Sequence, residues 1–136
     1  MTSTGRRLLV AMLVLFAFDA VGGFIGVATG AETWGTAWGF ETHSTVPLPM
    51  ATVQLLLAWV AARDQRPRAA RISALVLGVI CLLSVLFGAF DGDLIGNVAS
   101  DGFVSWGFAW GVVLLCATAV VGVLAFMRAR EAKRLR

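Results

Sequence analysis

The sequence predicts an all-α integral membrane protein, an antiparallel bundle of four transmembrane helices with both termini in the cytoplasm. Three observations predict it. First, 59% of the residues are hydrophobic and 14% charged, and several apolar runs approach the ~20 residues needed to cross a bilayer. Second, all the basic residues fall in three short stretches: Arg6 and Arg7; Arg63, Arg66, Arg68 and Arg71; and Arg128, Arg130, Lys133, Arg134 and Arg136. Third, the other two connections hold only acids, Glu32, Glu41, Asp91, Asp93 and Asp101. Basic residues collect on the cytoplasmic side of inserted proteins, so the alternation sets four crossings with both termini inside. A transmembrane barrel would need alternating segments of about ten residues, and the chain has none.

The first span is expected over about 8–30. Arg6-Arg7 before an apolar run resembles an export signal, and Ala28-Thr29-Gly30 a cleavage site. The run, however, is longer than a ~7–15-residue signal core and contains Asp19, so a retained helix is predicted. A Trp-, Gly- and Thr-rich outer loop leads to a second span over about 46–62, with Thr45 or Ser44 as cap and Pro47 in its first turn. The tight connection 63–71, broken at Pro67, makes the second and third helices antiparallel neighbours. The third span is expected over about 70–90 and the fourth over about 103–127, with an Asp- and Gly-rich outer loop between them. The basic tail 128–136 continues into the cytoplasm against anionic lipid headgroups. All of it forms one domain, 1–136.

The net charge of +3 averages two opposite surfaces, and the bases flank spans, so lipid rather than nucleic acid is the expected partner. Arg far outnumbers Lys, and Ala, Val and Gly are abundant, which points to a GC-rich bacterial genome and a multi-pass cell-membrane protein.

Every span carries a stripe of small residues. These are Gly22, Gly26 and Gly30; Ala51, Ala58 and Ala61; Ala74, Gly78 and Gly88; and Gly107, Gly111, Gly122 and Ala125. Lipid is as apolar as Leu, so membrane helices associate through close backbone approach and polar contacts, and the stripes mark inward faces. Each stripe also carries polar groups: Asp19, Gln54, Cys81 with Ser84, and Thr118. Counted from the span ends, Asp19 lies roughly 16 Å above the inner boundary and Gln54 roughly 12 Å below the outer one, which puts them at one level. A carboxylate at that depth is either functional, as a proton relay, ion site or counter-charge, or a hydrogen-bonding group that holds the bundle together.

Two copies of one pattern, Trp34-Gly-Thr-Ala-Trp38-Gly and Trp106-Gly-Phe-Ala-Trp110-Gly, lie at the outer boundary, where indoles favour the headgroup layer; Trp59 fits the inner belt. His43, with Glu32, Glu41, Asp91 and Asp93, forms an outer acidic group able to attract a cation weakly. It reads first as solvated surface. Asp91-Gly-Asp93-Leu-Ile-Gly96 matches the start of a calcium loop but lacks its closing Glu. Cys81 and Cys116 have no neighbouring base and no CxxC spacing, so no catalytic residue, metal site or cofactor is expected. The helix-1 carboxylate is similar to the layout of small multidrug transporters, and Trp34-Gly-Thr-Ala-Trp38 to the claudin first loop. No second motif accompanies either, and no family is assigned.

Three function classes follow, in this order. The first is an interaction or accessory subunit that assembles with itself or with another membrane protein. The second is a homo-oligomeric small-solute or ion transporter or channel using Asp19, Gln54, Ser84 and Thr118. The third is a membrane enzyme acting on lipid, using Asp19 or the outer acids with His43.

Overall fold

The computed structural model describes residues 1–30, 32–39, 46–90 and 106–134. Among them there are four helices and no strand: α1 (Ser3–Ala28), α2 (Leu48–Ala62), α3 (Pro67–Phe90) and α4 (Trp106–Arg134). α1, α3 and α4 are long and apolar enough to cross a membrane. α2 is apolar but has 15 residues, about 22 Å of helix.

The helix ends have local causes. Thr2 is extended and its hydroxyl accepts the Gly5 N–H at 3.2 Å, an N-cap that starts α1 before its apolar run. At the other end Gly30 has φ +74°, and the Thr29 and Gly30 N–H groups close on the Ile25 and Val27 carbonyls. Gly30 is exposed, and a Cβ there would meet nothing within 4 Å. Its role is therefore to end α1 rather than to pack, although it lies on the glycine stripe. Pro47 is the N-cap of α2 and Pro49 sits in its first turn, so two N–H groups that would have needed partners do not exist. The Leu48 N–H donates to the Trp38 carbonyl at 3.0 Å. Ser44 and Thr45, the caps expected from sequence, lie outside the described residues. Pro67 opens α3 at a first-turn position where its missing N–H costs nothing.

α3 and α4 share the most extensive contact; α1 packs on α2 and α4, and α2 on α3. α2 meets α4 only briefly, and α1 and α3 stand at opposite corners. The helices therefore circle the core in chain order. Buried positions step by three and four residues along each of them: Gly5, Leu8, Met12, Leu15, Asp19, Gly22 and Gly26 on α1, and Ala51, Gln54, Ala58 and Ala61 on α2. Ala70, Ala74, Leu77 and Cys81 continue the pattern on α3, and Thr118, Val121, Ala125, Arg128 and Ala132 on α4. This is the 3.5-residue repeat of knobs-into-holes packing. Leu13, Phe87, Val123 and other large apolar side chains face outward.

Some stripe positions bring backbones together. A Cβ on Gly5 would stand 2.9 Å from the Ala62 carbonyl oxygen, and one on Gly122 would stand 3.2 Å from the Cys81 Cβ. Backbone cannot rotate away, so Gly5→Ala is expected to destabilise the bundle by about 1–3 kcal/mol, the usual cost of overpacking. Denaturation in detergent micelles measures this, and an unchanged midpoint would show that α1 and α2 do not cross this closely.

Candidate functional site

Two polar clusters lie inside the bundle, one in the half away from the basic residues and one at the Arg-rich end. Asp19 anchors the first. It is 4% exposed, and its Oδ1 accepts the Val46 N–H at 2.7 Å. Gly5 beside Ala62 and Asp19 beside Val46 set the antiparallel register of α1 and α2. α2 therefore begins at the level of Asp19, nine residues or about 13 Å before α1 ends. The chain between them turns back along α1: the Glu32 N–H donates to the Gly26 carbonyl at 3.0 Å, and residues 33–39 form a compact turn. Thr36 Oγ1 donates to Glu32 Oε2 at 2.7 Å within that turn.

Aromatic rings fill the space that glycine leaves. A Cβ on Gly23 would stand 2.5 Å from the Trp38 indole, and one on Gly22 would stand 2.6 Å from Trp110 Nε1. Phe18 meets Trp110 edge-on at 6.0 Å, and Phe24 meets Trp38 at 5.1 Å. Trp34 and Trp38 share a face, with centroids 6.0 Å apart. The Gly22–Gly23 step is therefore a seat for two indoles, not a helix–helix crossing. Trp110 Nε1 is buried there without a hydrogen-bond partner among the described residues.

Gln54 is 3% exposed, and the hydrogen bond at Asp19 comes from the Val46 N–H instead. Gln54 lies eight residues beyond Val46, about 12 Å further along the α2 axis. Counting the second helix from the end plane of the first places Asp19 and Gln54 at one level. α2 instead starts deeper. The register of Cys81 with Gly122 and of Gly88 with Leu115 brings Ser84 and Thr118 to neighbouring levels of α3 and α4. The bond between Ala61 and Arg128 places Gln54 within about a turn of Thr118. The Thr118 hydroxyl donates to its own helix, to the Leu114 carbonyl at 2.8 Å.

The second cluster centres on Arg128, whose side chain is fully buried. Its Nε donates to the Ala61 carbonyl at 2.8 Å, and a terminal nitrogen reaches the Arg63 carbonyl at 3.4 Å. These carbonyls end α2, where no helical donor remains and the helix dipole favours a cation. The same guanidinium pairs with Asp64 at 2.6 Å and Glu131 at 3.2 Å. Asp64 also pairs with the Met1 amine at 2.6 Å, and Glu131 accepts from Thr2 Oγ1 at 3.0 Å. One side chain thus ties the start of α1, the end of α2 and the last turns of α4. The hydrogen bond from the Met1 amine, reinforced by the charges of that amine and of Arg128, holds Asp64 below the usual carboxylate range.

That depressed value gives a pH prediction. A group whose folded pKa lies below its unfolded one stabilises the fold above the ordinary carboxylate range, and the contribution is lost as pH falls through the folded value. Melts at pH 6 and pH 3 are expected to show acid destabilisation that is smaller in Asp64→Asn. An equal acid loss in both proteins would contradict the role given to Asp64.

Other residues singled out by sequence have separate places. Gly26 is buried, Gly78 faces the Phe126 ring, Gly107 stands in the first turn of α4, and Gly111 is half-buried. Cys81 is buried and Cys116 exposed, and both are free thiols. Glu41, His43, Asp91 and Asp93 lie outside the described residues. Sequence reasoning assigned Arg128 to the lipid-facing tail. The missed signal was the stripe itself, because 118, 121, 125, 128 and 132 keep the three–four step straight through the basic run.

No protein-family profile matches this chain, and neither the curated proteins nor the solved structures contain a match.

Proposed function

We propose that the chain is a four-span protein of the bacterial cell membrane with its Arg-rich end in the cytoplasm, acting as an interaction or accessory subunit. The observation that carries this reading is the commitment of Asp19. The carboxylate at bundle mid-depth accepts a backbone N–H and so fixes where α2 begins. Arg128, the other charged group of the buried stripes, is likewise bound to α2 carbonyls and to two acids. The charges inside the bundle thus serve its assembly, and the outward faces are apolar and open to lipid or to a partner helix. α2 alone is short for a bilayer of about 30 Å, and the turn 33–39 beside α1 supports a fourth crossing. Non-helical backbone at that depth is tolerated where protein covers it.

The decisive comparison is between two substitutions. Asp19→Asn retains an oxygen for Val46, so stability in detergent is expected to stay within about 1 kcal/mol of wild type. Asp19→Leu leaves that N–H unpaired and is expected to cost about 1–3 kcal/mol. Co-purification with a second membrane protein, or a stable homo-oligomer, should survive Asp19→Asn. Loss of association in the Asn variant with the fold intact would sink the structural assignment of Asp19.

A specific observation favours transport as the second reading. Gln54 is buried at nearly the level of Ser84 and Thr118, so polar side chains of three helices share one layer of the bundle. Proteoliposome flux of cations and cationic dyes that is present in wild type and lost in Gln54→Leu would establish it. Absence of wild-type flux for every solute would leave the accessory reading in place.

A further inference from the structure

The turn joining α2 to α3 separates its charges by side. Its acid, Asp64, points to the bundle and is held by Arg128. Arg63, Arg66 and Arg68 are exposed, and none of them pairs with an acid among the described residues. Two adjoining shallow, open depressions lie at this turn and share Arg66 and Ala69. Trp59, Arg63 and Gln65 line one of them and Arg68 the other. The Arg63 guanidinium lies 3.5 Å above the Trp59 ring, and Trp59 is 44% exposed. Stacking fixes the plane of that guanidinium while leaving its N–H edge free for an oxyanion. The recess also abuts the start of α3, a 24-residue helix with no acid in its first turn, whose positive dipole end favours an anion.

We infer that this recess binds the phosphodiester headgroup of an anionic phospholipid, with Arg63, Arg66 and Arg68 as its cationic wall. Trp59 and Val60 are the apolar floor along which the acyl chains leave. The choice of a lipid over a free phosphate rests on that floor: the ring under Arg63 is exposed on the outer face of α2, where the hydrocarbon boundary would lie. The inference rests on the membrane reading above and deepens it, from a general attraction of the basic end for lipid to a defined site. A diffuse basic surface would attract lipid through every Arg and Lys alike, at about five-fold in affinity for each residue near an anionic surface. The site instead concentrates the preference at one turn.

The test uses the full chain in nanodiscs containing brominated phosphatidylcholine or brominated phosphatidylglycerol. Subtracting the fluorescence of Trp59→Phe from that of wild type isolates Trp59. Brominated phosphatidylglycerol is expected to quench Trp59 at several-fold lower mole fraction than brominated phosphatidylcholine. The excess is expected to disappear in Arg63→Gln/Arg66→Gln and to persist in Arg130→Gln/Lys133→Gln, which removes the same charge elsewhere. Arg66→Gln alone, at an exposed turn position, serves as a second variant and is expected to lose most of the excess, whereas Arg130→Gln alone is expected to keep it. Equal quenching by both lipids, or equal loss in both double variants, would overturn the site while leaving the membrane reading intact. No quenching of any tryptophan by either lipid would overturn the membrane reading itself. Reversal of the excess by millimolar inorganic phosphate would reassign the recess to a soluble anion.

Discussion

Replacing Arg128 with Leu is expected to be the most damaging single change in this protein. The substitution removes two bonds to the end of α2 and two ion pairs, and leaves the buried Ala61 carbonyl without its donor. Hydrogen bonds to charged groups are worth about 1.5–3 kcal/mol, and breaking a buried ionic contact costs about 3–5 kcal/mol. Asp64 and Glu131 remain about a third exposed and would regain water, which offsets part of the loss. A net destabilisation of about 2–4 kcal/mol is therefore expected. Arg128→Lys keeps the charge but not the planar fork that serves carbonyls on one edge and carboxylates on the other, so it should recover less than half of the loss. Reversible unfolding in mixed micelles, scored by helical circular dichroism, measures both variants. A Leu variant as stable as wild type would show that Arg128 is solvated and that the three helix ends are not tied through it.

The second large effect is expected at the Gly22–Gly23 step. Ala at position 23 would bring a methyl to 2.5 Å from the Trp38 indole, and Ala at 22 would bring one to 2.6 Å from Trp110 Nε1. Each ring must move, and each ring is held by a neighbour, Phe24 for Trp38 and Phe18 for Trp110. Overpacking of this kind costs about 1–3 kcal/mol per site. Here the obstacle is a side chain, so the loss can be relieved. Trp38→Leu is expected to be destabilising alone but to remove most of the penalty of Gly23→Ala, with a coupling of about 1 kcal/mol or more. Strict additivity would mean that the indole does not occupy the glycine seat. The same cycle leaves Gly5→Ala unrelieved, because Ala62 meets that position with backbone.

The helical class of this chain was legible because it rests on long-range regularities. Apolar runs, charge spacing and small-residue periodicity each average over many residues, and all three agree on helices near 8–30, 70–90 and 103–127. What was not legible was where helices begin in relation to one another. Asp19 and Gln54 come out level when the second span is counted from the end plane of the first, whereas the chain after α1 folds back past Trp38 and α2 begins beside Asp19. The glycine stripe of α1 gave the buried face correctly but not its occupants. A glycine announces that something comes close, and at Gly22 and Gly23 the neighbour is an indole rather than another helix backbone. Arg128 was hidden by composition: in a run of bases it reads as tail, and its burial follows only when the three–four step is carried through the charges. Gly30 shows the opposite case, a residue in perfect register with the stripe that serves to end the helix.

The proposed topology has four helices crossing the membrane, with the turn bearing Arg63 to Arg71 on the cytoplasmic side beside both termini. Cysteine accessibility in intact cells tests it most directly. In a background with Cys81→Ala and Cys116→Ala, one cysteine is placed at Glu41 and, in a separate protein, one at Gln65. A membrane-impermeant maleimide is predicted to label position 41 in intact cells and position 65 only after the membrane is opened. Labelling of position 65 in intact cells would contradict the account, as would protection of position 41 until lysis.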